Sequence, residues 1–221
     1  MKKLLIANFK QNKTKAEVVE YFSTSSFGGN DNCDVVIAPS FVHIALVKEL
    51  GKGVEVAGQS VSPFSKGSYT GAVGAFQLKD LGVKYCIVGH SERRRYFAES
   101  SQVINNQIKE LESVEITPII CFSSIDEVRQ VETATKCFYL YEPLDAINSS
   151  GVQSNASDNK DIEEMFLKVK EVIAECLLIY GGSVDENNIS RLCQIPYIYG
   201  FVVGTESLNA QSFLKIYRKV K

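Results

Sequence analysis

The amino-acid sequence predicts an α/β fold in which eight parallel strands alternate with helices and close into a (β/α)8 barrel. Three observations carry this reading. A short apolar, β-branched run, a polar or glycine-containing joint and a longer amphipathic segment repeat from end to end, which is the rhythm of βα units. The runs number about eight, the count that closes a parallel barrel. Segments such as LLIA, YCIV and CLLI are apolar at consecutive positions, as strands must be when both their faces are covered. An open doubly wound sheet has the same local signature, so the strand count carries the choice between the two.

The first run, KLLIANF (3–9), leads into the amphipathic KAEVVEYF, and the second, DVVIAP (34–39), into FVHIALVKELG. Apolar residues in both helical segments recur at three and four. The third run, VEVAG (54–58), is followed by GQSVSPFSKGSYTGAVGAF. That stretch is too long for a routine joint and reads as a functional or partner-binding loop. YCIVGH (85–90) and ITPIIC (116–121) are the fourth and fifth runs, and CFYLYEP (137–143) is the sixth. The sixth precedes NSSGVQSNASDN (148–159), whose composition suits a linker but whose position suits an active-site lid, and then the helical KDIEEMFLKVKEVIAE. CLLIYGG (176–182) and YGFVVG (199–204) complete the set.

Composition sets limits on function. With 221 residues and 45% hydrophobic content the chain can bury a large core, and no boundary divides it, so one domain over 1–221 is expected. The 24 basic and 26 acidic residues leave a formal charge of −2, and the longest basic run is only Arg93, Arg94 and Arg95. Neither a nucleic-acid nor a membrane partner is expected from that balance. A small molecule is. The six cysteines, at 33, 86, 121, 137, 176 and 193, contain no C-x-x-C pair and read as buried free thiols. The opening MKKLLIANFKQNK is too short in apolar length for a signal core or a membrane span, so a cytoplasmic location is expected.

Barrels of this kind carry their active sites at the C-terminal ends of the strands. The polar residues there are Asn8 and Lys10, His90 with Ser91 and Glu92, Glu142, Ser183 beside Gly181 and Gly182, and Gly204 with Thr205. Glu142 leaves an uncharged run, where desolvation makes a carboxylate a better base, although a lone strand-end glutamate usually pairs with a lysine. His90 precedes SERRRYF, in which Ser91 is the expected N-cap, and a helix N-terminus disfavours imidazolium. A neutral His90 could polarise a carbonyl while Glu142 takes the neighbouring proton. His43, in FVHIALV, reads as a packed helix residue. Lys10 could hold an anion or stabilise an enolate oxygen. The glycine joints at 181–182 and 204 would let backbone N–H groups approach a phosphate, at the strands where barrels commonly bind one.

NFK at 8–10, VGHSERR at 88–94, YEP at 141–143, YGGSV at 180–184 and VGTESL at 203–208 occur in an order that resembles the triosephosphate isomerase family. The resemblance spans nearly the whole chain and implies a single-domain TIM barrel. The implied reaction is the cofactor-free, metal-free interconversion of dihydroxyacetone phosphate and glyceraldehyde 3-phosphate through an enediolate, a step of glycolysis and gluconeogenesis. This family is itself the standard worked case of the base, electrophile and lid roles that follow. Carried onto matching positions, Glu142 shuttles the proton, His90 polarises the carbonyl and Lys10 supplies charge. Asn8 orients the substrate, and Asn148, Ser183, Gly204 and Thr205 bind phosphate. The loop around Thr70 implies a homodimer, with Thr70 reaching towards the partner's Asn8 and Lys10 region.

The chain also departs from the family pattern. Asp145 stands where the lid usually begins with tryptophan, and Asn148, Ser149 and Ser150 replace a glycine-rich lid tip. Ala72 and Ser124 stand where acids are usual, which leaves Arg93 to lean on Glu99. SSIDEVRQVETATK (123–136) is too short for a full helix, so a truncated helix is expected between strands five and six. Two rival readings remain at this level, namely an enzyme acting on a larger sugar phosphate and a barrel that binds phosphate ligands without turnover.

Overall fold

The computed structural model describes residues 2–28, 30–143 and 157–220. Its strands are β1 (Lys3–Asn8), β2 (Cys33–Ala38), β3 (Glu55–Gly58), β4 (Tyr85–Val88), β5 (Thr117–Phe122), β6 (Phe138–Tyr141), β7 (Leu177–Tyr180) and β8 (Ile198–Val203). All pair in parallel with their sequence neighbours, and β8 returns to β1, so the sheet is a closed barrel and not an open one. Strand alternation explains the unbroken apolar runs. Leu4, Val36, Ala57, Ile87, Ile119, Phe138, Ile179 and Val202 belong to one cluster contributed by all eight strands. Their neighbours Leu5, Val35, Val56, Cys86, Ile120, Tyr139, Leu178 and Phe201 join a second cluster with the helices.

The closing seam has a specific requirement. Gly200 pairs with Leu4, and a Cβ at Gly200 would lie 2.3 Å from the Leu4 carbonyl oxygen. Only glycine fits that approach. The β7–β8 register shifts between Leu178 and Ile179, whereas β8 pairs with β1 in unbroken register.

The helices are α1 (Lys15–Ser23), α2 (Ile44–Leu50), α3 (Ala75–Asp80), α4 (Ser91–Phe97), α5 (Ser101–Ser113), α6 (Ile125–Arg129), α7 (Asn159–Val172), α8 (Ile189–Leu192) and α9 (Ala210–Lys219). Local chemistry sets several of their starts. Thr14 and Glu17 form a capping box at α1, and Asp158 caps α7. The segment expected as one helix after β2 begins instead as a 3-10 turn, Phe41–His43, with half-buried His43 at the junction to α2.

The expected truncation between β5 and β6 is present as the short α6. Polar side chains of α5 hold the backbone that follows it. Asn105 Oδ1 accepts the Glu132 N–H at 2.9 Å, and Glu112 Oε1 accepts the Thr135 N–H at 2.7 Å. Lys109 pairs with Glu132 at 3.0 Å. The six cysteines are free thiols, five of them buried and Cys193 partly so. Among the described residues no helix is long and apolar enough to cross a membrane.

Candidate active site

The sequence-nominated residues converge at the C-terminal rim of the barrel. Asn8 ends β1, is buried, and accepts the Lys10 N–H through Oδ1 at 3.0 Å. This turn leaves Lys10 at φ +49°, a left-handed conformation that a lysine adopts only when its surroundings hold it there. They do so from three directions. Ser40 Oγ donates to the Lys10 carbonyl at 3.1 Å, and Gln59 Nε2 donates to it at 3.0 Å while also reaching Ala38 O at 2.8 Å. The ammonium meets Glu92 Oε1 at 2.6 Å.

Gly89 turns the chain out of β4 at φ +67°, where a Cβ would lie 2.9 Å from Ile104 Cδ1. His90 follows as the N-cap of α4, a role the sequence reading gave to Ser91. Its Nδ1 accepts the Glu92 N–H at 3.2 Å. Its Nε2 lies 3.1 Å from Glu142 Oε1, and both side chains are almost fully buried.

Burial acts to lower the His90 pKa, but the charge of Glu142 and its hydrogen bond raise it and prevail, with Lys10 lowering and Glu92 raising it further. The direction is therefore upward, opposite to what a helix N-terminus alone predicts, because the carboxylate is in contact. The Glu92 N–H works against a full charge. A protonated ring would turn an N–H towards another N–H at Nδ1. A neutral ring carrying its proton on Nε2 satisfies both neighbours.

Glu142 leaves β6 with its N–H bonded to Phe122 O at 2.9 Å. Gly181, beside it on the next strand end, makes room for the carboxylate. A Cβ there would sit 3.3 Å from Glu142 Cγ, 3.4 Å from its Oε1 and 2.9 Å from Leu140 Cδ1. Among the described residues Glu142 Oε2 is buried without a hydrogen-bond partner. A carboxylate with one oxygen on an imidazole and the other unsatisfied suits proton abstraction better than a structural ion pair.

Just beyond Gly181, Ser183 has φ +47° and its carbonyl accepts from Asn188 Nδ2 at 2.7 Å. Gly204 precedes the 3-10 turn Thr205–Leu208, and a Cβ on Gly204 would lie 3.9 Å from Lys10 Cε. Ser207 ties the rim together, donating through its N–H (2.9 Å) and Oγ (2.6 Å) to Gly204 O. Asn148, Asp145, Ser149 and Ser150 lie outside the described residues.

Thr70 stands apart on the exposed loop between β3 and α3. Arg93 pairs with Glu99 at 2.6 Å, as its missing family acids implied, and Glu99 Oε1 also accepts from Gln107 Nε2 at 3.0 Å. Sequence reasoning missed Gln59 and Ser40 entirely. The one available signal was their position just beyond the ends of β3 and β2. Among the described residues no cluster of His, Cys, Asp or Glu could hold a metal ion.

The family model for triosephosphate isomerase matches residues 3–220. A triosephosphate isomerase of Mesomycoplasma hyopneumoniae (strain 232) is 33% identical over 98% of each chain. One of Endomicrobium trichonymphae is 30% identical over 100% of this chain and 99% of its own. One of Clostridium botulinum (strain Eklund 17B / Type B) is 33% identical over 96% of this chain and 98% of its own.

Proposed function

This chain belongs to the triosephosphate isomerase family, and from that premise we propose that Glu142, His90 and Lys10 carry its reaction. The activity is the interconversion of dihydroxyacetone phosphate and glyceraldehyde 3-phosphate, a glycolytic isomerisation. Glu142 removes a proton from the carbon beside the substrate carbonyl. His90, neutral, donates its Nε2–H to the carbonyl oxygen as that oxygen gains charge. Lys10 opposes the charge of the resulting enediolate. Glu142 then returns the proton to the neighbouring carbon while the hydroxyl proton passes from one enediolate oxygen to the other, so one carboxylate serves both half-reactions and no atoms are gained or lost.

The observation that carries this reading is the buried 3.1 Å contact between Glu142 and His90. Substrate must come between them, and that separation has an electrical consequence. Once Glu142 holds the substrate proton, the charge that raises the His90 pKa is gone. Burial and Lys10 then favour the neutral ring, which is the form that can hydrogen-bond to an enediolate.

The backbone amides at Ser183, Gly204 and Thr205 are proposed to bind the phosphate, with Asn8 orienting the substrate and Asn148 contributing from the lid. Lys10→Met tests the cation directly. We expect kcat/KM to fall at least about 100-fold, the scale on which loss of a charged contact at a developing anion is felt. Steady-state assays in both directions would measure it, and a loss under about threefold would remove Lys10 from the mechanism.

We further propose that residues 1–221 form one domain and that the protein acts in the cytoplasm as a homodimer through the loop around Thr70, with no nucleic-acid or membrane partner. In that loop Phe64 and Tyr69, each about half exposed, stack at 4.5 Å, an apolar surface that a second copy would cover. Sedimentation at micromolar concentration should give twice the chain mass, and Thr70→Arg should shift it towards the monomer. A wild-type protein that sediments as a monomer would contradict the dimer without touching the chemistry.

A further inference from the structure

Lys13 holds a left-handed backbone conformation, φ +69°, three residues beyond the equally left-handed Lys10. The Lys10 conformation is explained by the hydrogen bonds that close on its backbone. That of Lys13 is explained by where it sends the side chain. Its Nζ donates to the Leu208 carbonyl at 2.7 Å, the last residue of the 3-10 turn that begins at Thr205. On the way it lies over the Phe9 ring (5.3 Å) and the Tyr21 ring (4.9 Å), which pack edge to face with centroids 5.0 Å apart. One ammonium thus joins the β1 loop, α1 and the turn after β8. Burial lowers its pKa, as expected of a group seated and not waving in solvent.

The β1 loop carries Lys10, and the turn after β8 begins with the amides assigned above to the phosphate. We propose that Lys13 is a positioning residue that staples these two walls of the substrate site at a fixed spacing. The proposal rests on the phosphate assignment made above. A left-handed lysine is unfavourable and a half-buried ammonium gains from a partner, so the staple is the feature that offsets both. Because it never touches substrate, its loss should loosen binding more than it slows chemistry.

Lys13→Asn is the informative variant, since asparagine tolerates left-handed geometry and cannot reach Leu208. Lys13→Met keeps the stem without the charge, and Lys13→Arg keeps a donor. For both Asn and Met we expect KM for either triose phosphate and the inhibition constant of inorganic phosphate to rise together by about tenfold, the worth of one charged hydrogen bond. kcat should stay within about threefold, and Arg should recover most of the loss. The ratio of variant to wild-type constants should persist at about 1 M salt, where charges more than roughly 3 Å apart are screened.

Unchanged KM in Lys13→Asn overturns the proposal, as does a rise that vanishes at high salt, which would mark a diffuse field. A lowered melting temperature with unchanged KM also overturns it, because that is a purely structural role. Failure of the site assignment itself would look different. There Thr205→Pro, which deletes one proposed phosphate-binding N–H, keeps wild-type KM and phosphate inhibition, whereas failure of this inference leaves Thr205→Pro impaired and Lys13→Asn normal.

Discussion

Glu142→Asp is expected to lower kcat about 100-fold with KM within about threefold of wild type, because it withdraws the base by one methylene from a reaction that tolerates little misplacement. The surroundings give the shorter side chain no way to recover the distance. The Glu142 N–H is fixed to Phe122 O, β6 is paired on both sides, and the neighbouring Gly181 has no side chain to push the carboxylate forward. The aspartate also draws away from His90 Nε2, now 3.1 Å from the carboxylate. The proposed phosphate-binding amides at Ser183, Gly204 and Thr205 are untouched, which is why KM should hold. Steady-state kinetics in both directions would measure the split. Wild-type kcat in this variant would mean that another group takes the proton.

His90→Asn is expected to cost kcat about 100- to 1000-fold, the usual effect of removing one donor from a developing oxyanion. Asparagine is chosen because it isolates the electrophile. It is a strong N-cap and can still accept the Glu92 N–H, so α4 should start where it does now. Its amide stops short of the place Nε2 occupies opposite Glu142. An unchanged thermal melt combined with the kinetic loss would separate chemistry from folding. A loss below about tenfold would assign the polarising role elsewhere, with Lys10 the nearest alternative.

Much of this molecule is legible in the sequence because its strands are apolar on both faces, a pattern that only a helix-covered parallel sheet demands. The strand ends were less so. The runs KLLIANF, YCIVGH and CFYLYEP extend one or two residues past the points where the ladder stops, at Asn8, Val88 and Tyr141. Hydrophobicity does not encode the left-handed turns at Gly89 and Lys10 that end the pairing. The shortened α6 was readable from residue count alone, whereas its anchoring by Asn105 and Glu112 depends on contacts more than twenty residues distant.

The site divides in the same way. Glu142, His90 and Lys10 stand at strand ends, where topology alone brings them together. Gln59 and Ser40 act on Lys10 from 49 and 30 residues away, and only their position just beyond strand ends marks them. The capping of α4 shows the limits of residue preference. Serine is the better cap statistically, yet Ser91 Oγ is buried without a partner among the described residues, and the His90 imidazole takes the role. The upward shift of His90 was hidden for a further reason. It depends on Glu142, 52 residues along (142 − 90 = 52), which meets His90 only when β4, β5 and β6 pair.

The assignment of Glu142 as the base is tested most directly by hydrogen exchange. Dihydroxyacetone phosphate incubated with enzyme in heavy water can be followed by proton NMR, with the wild type compared against Glu142→Gln and inorganic phosphate binding measured in both. The account predicts exchange of the transferred carbon-bound hydrogen at a rate comparable to turnover in the wild type. In Glu142→Gln it predicts exchange slowed by at least about 1000-fold with phosphate binding retained, since an amide cannot accept the proton. Exchange at the wild-type rate in Glu142→Gln would contradict it.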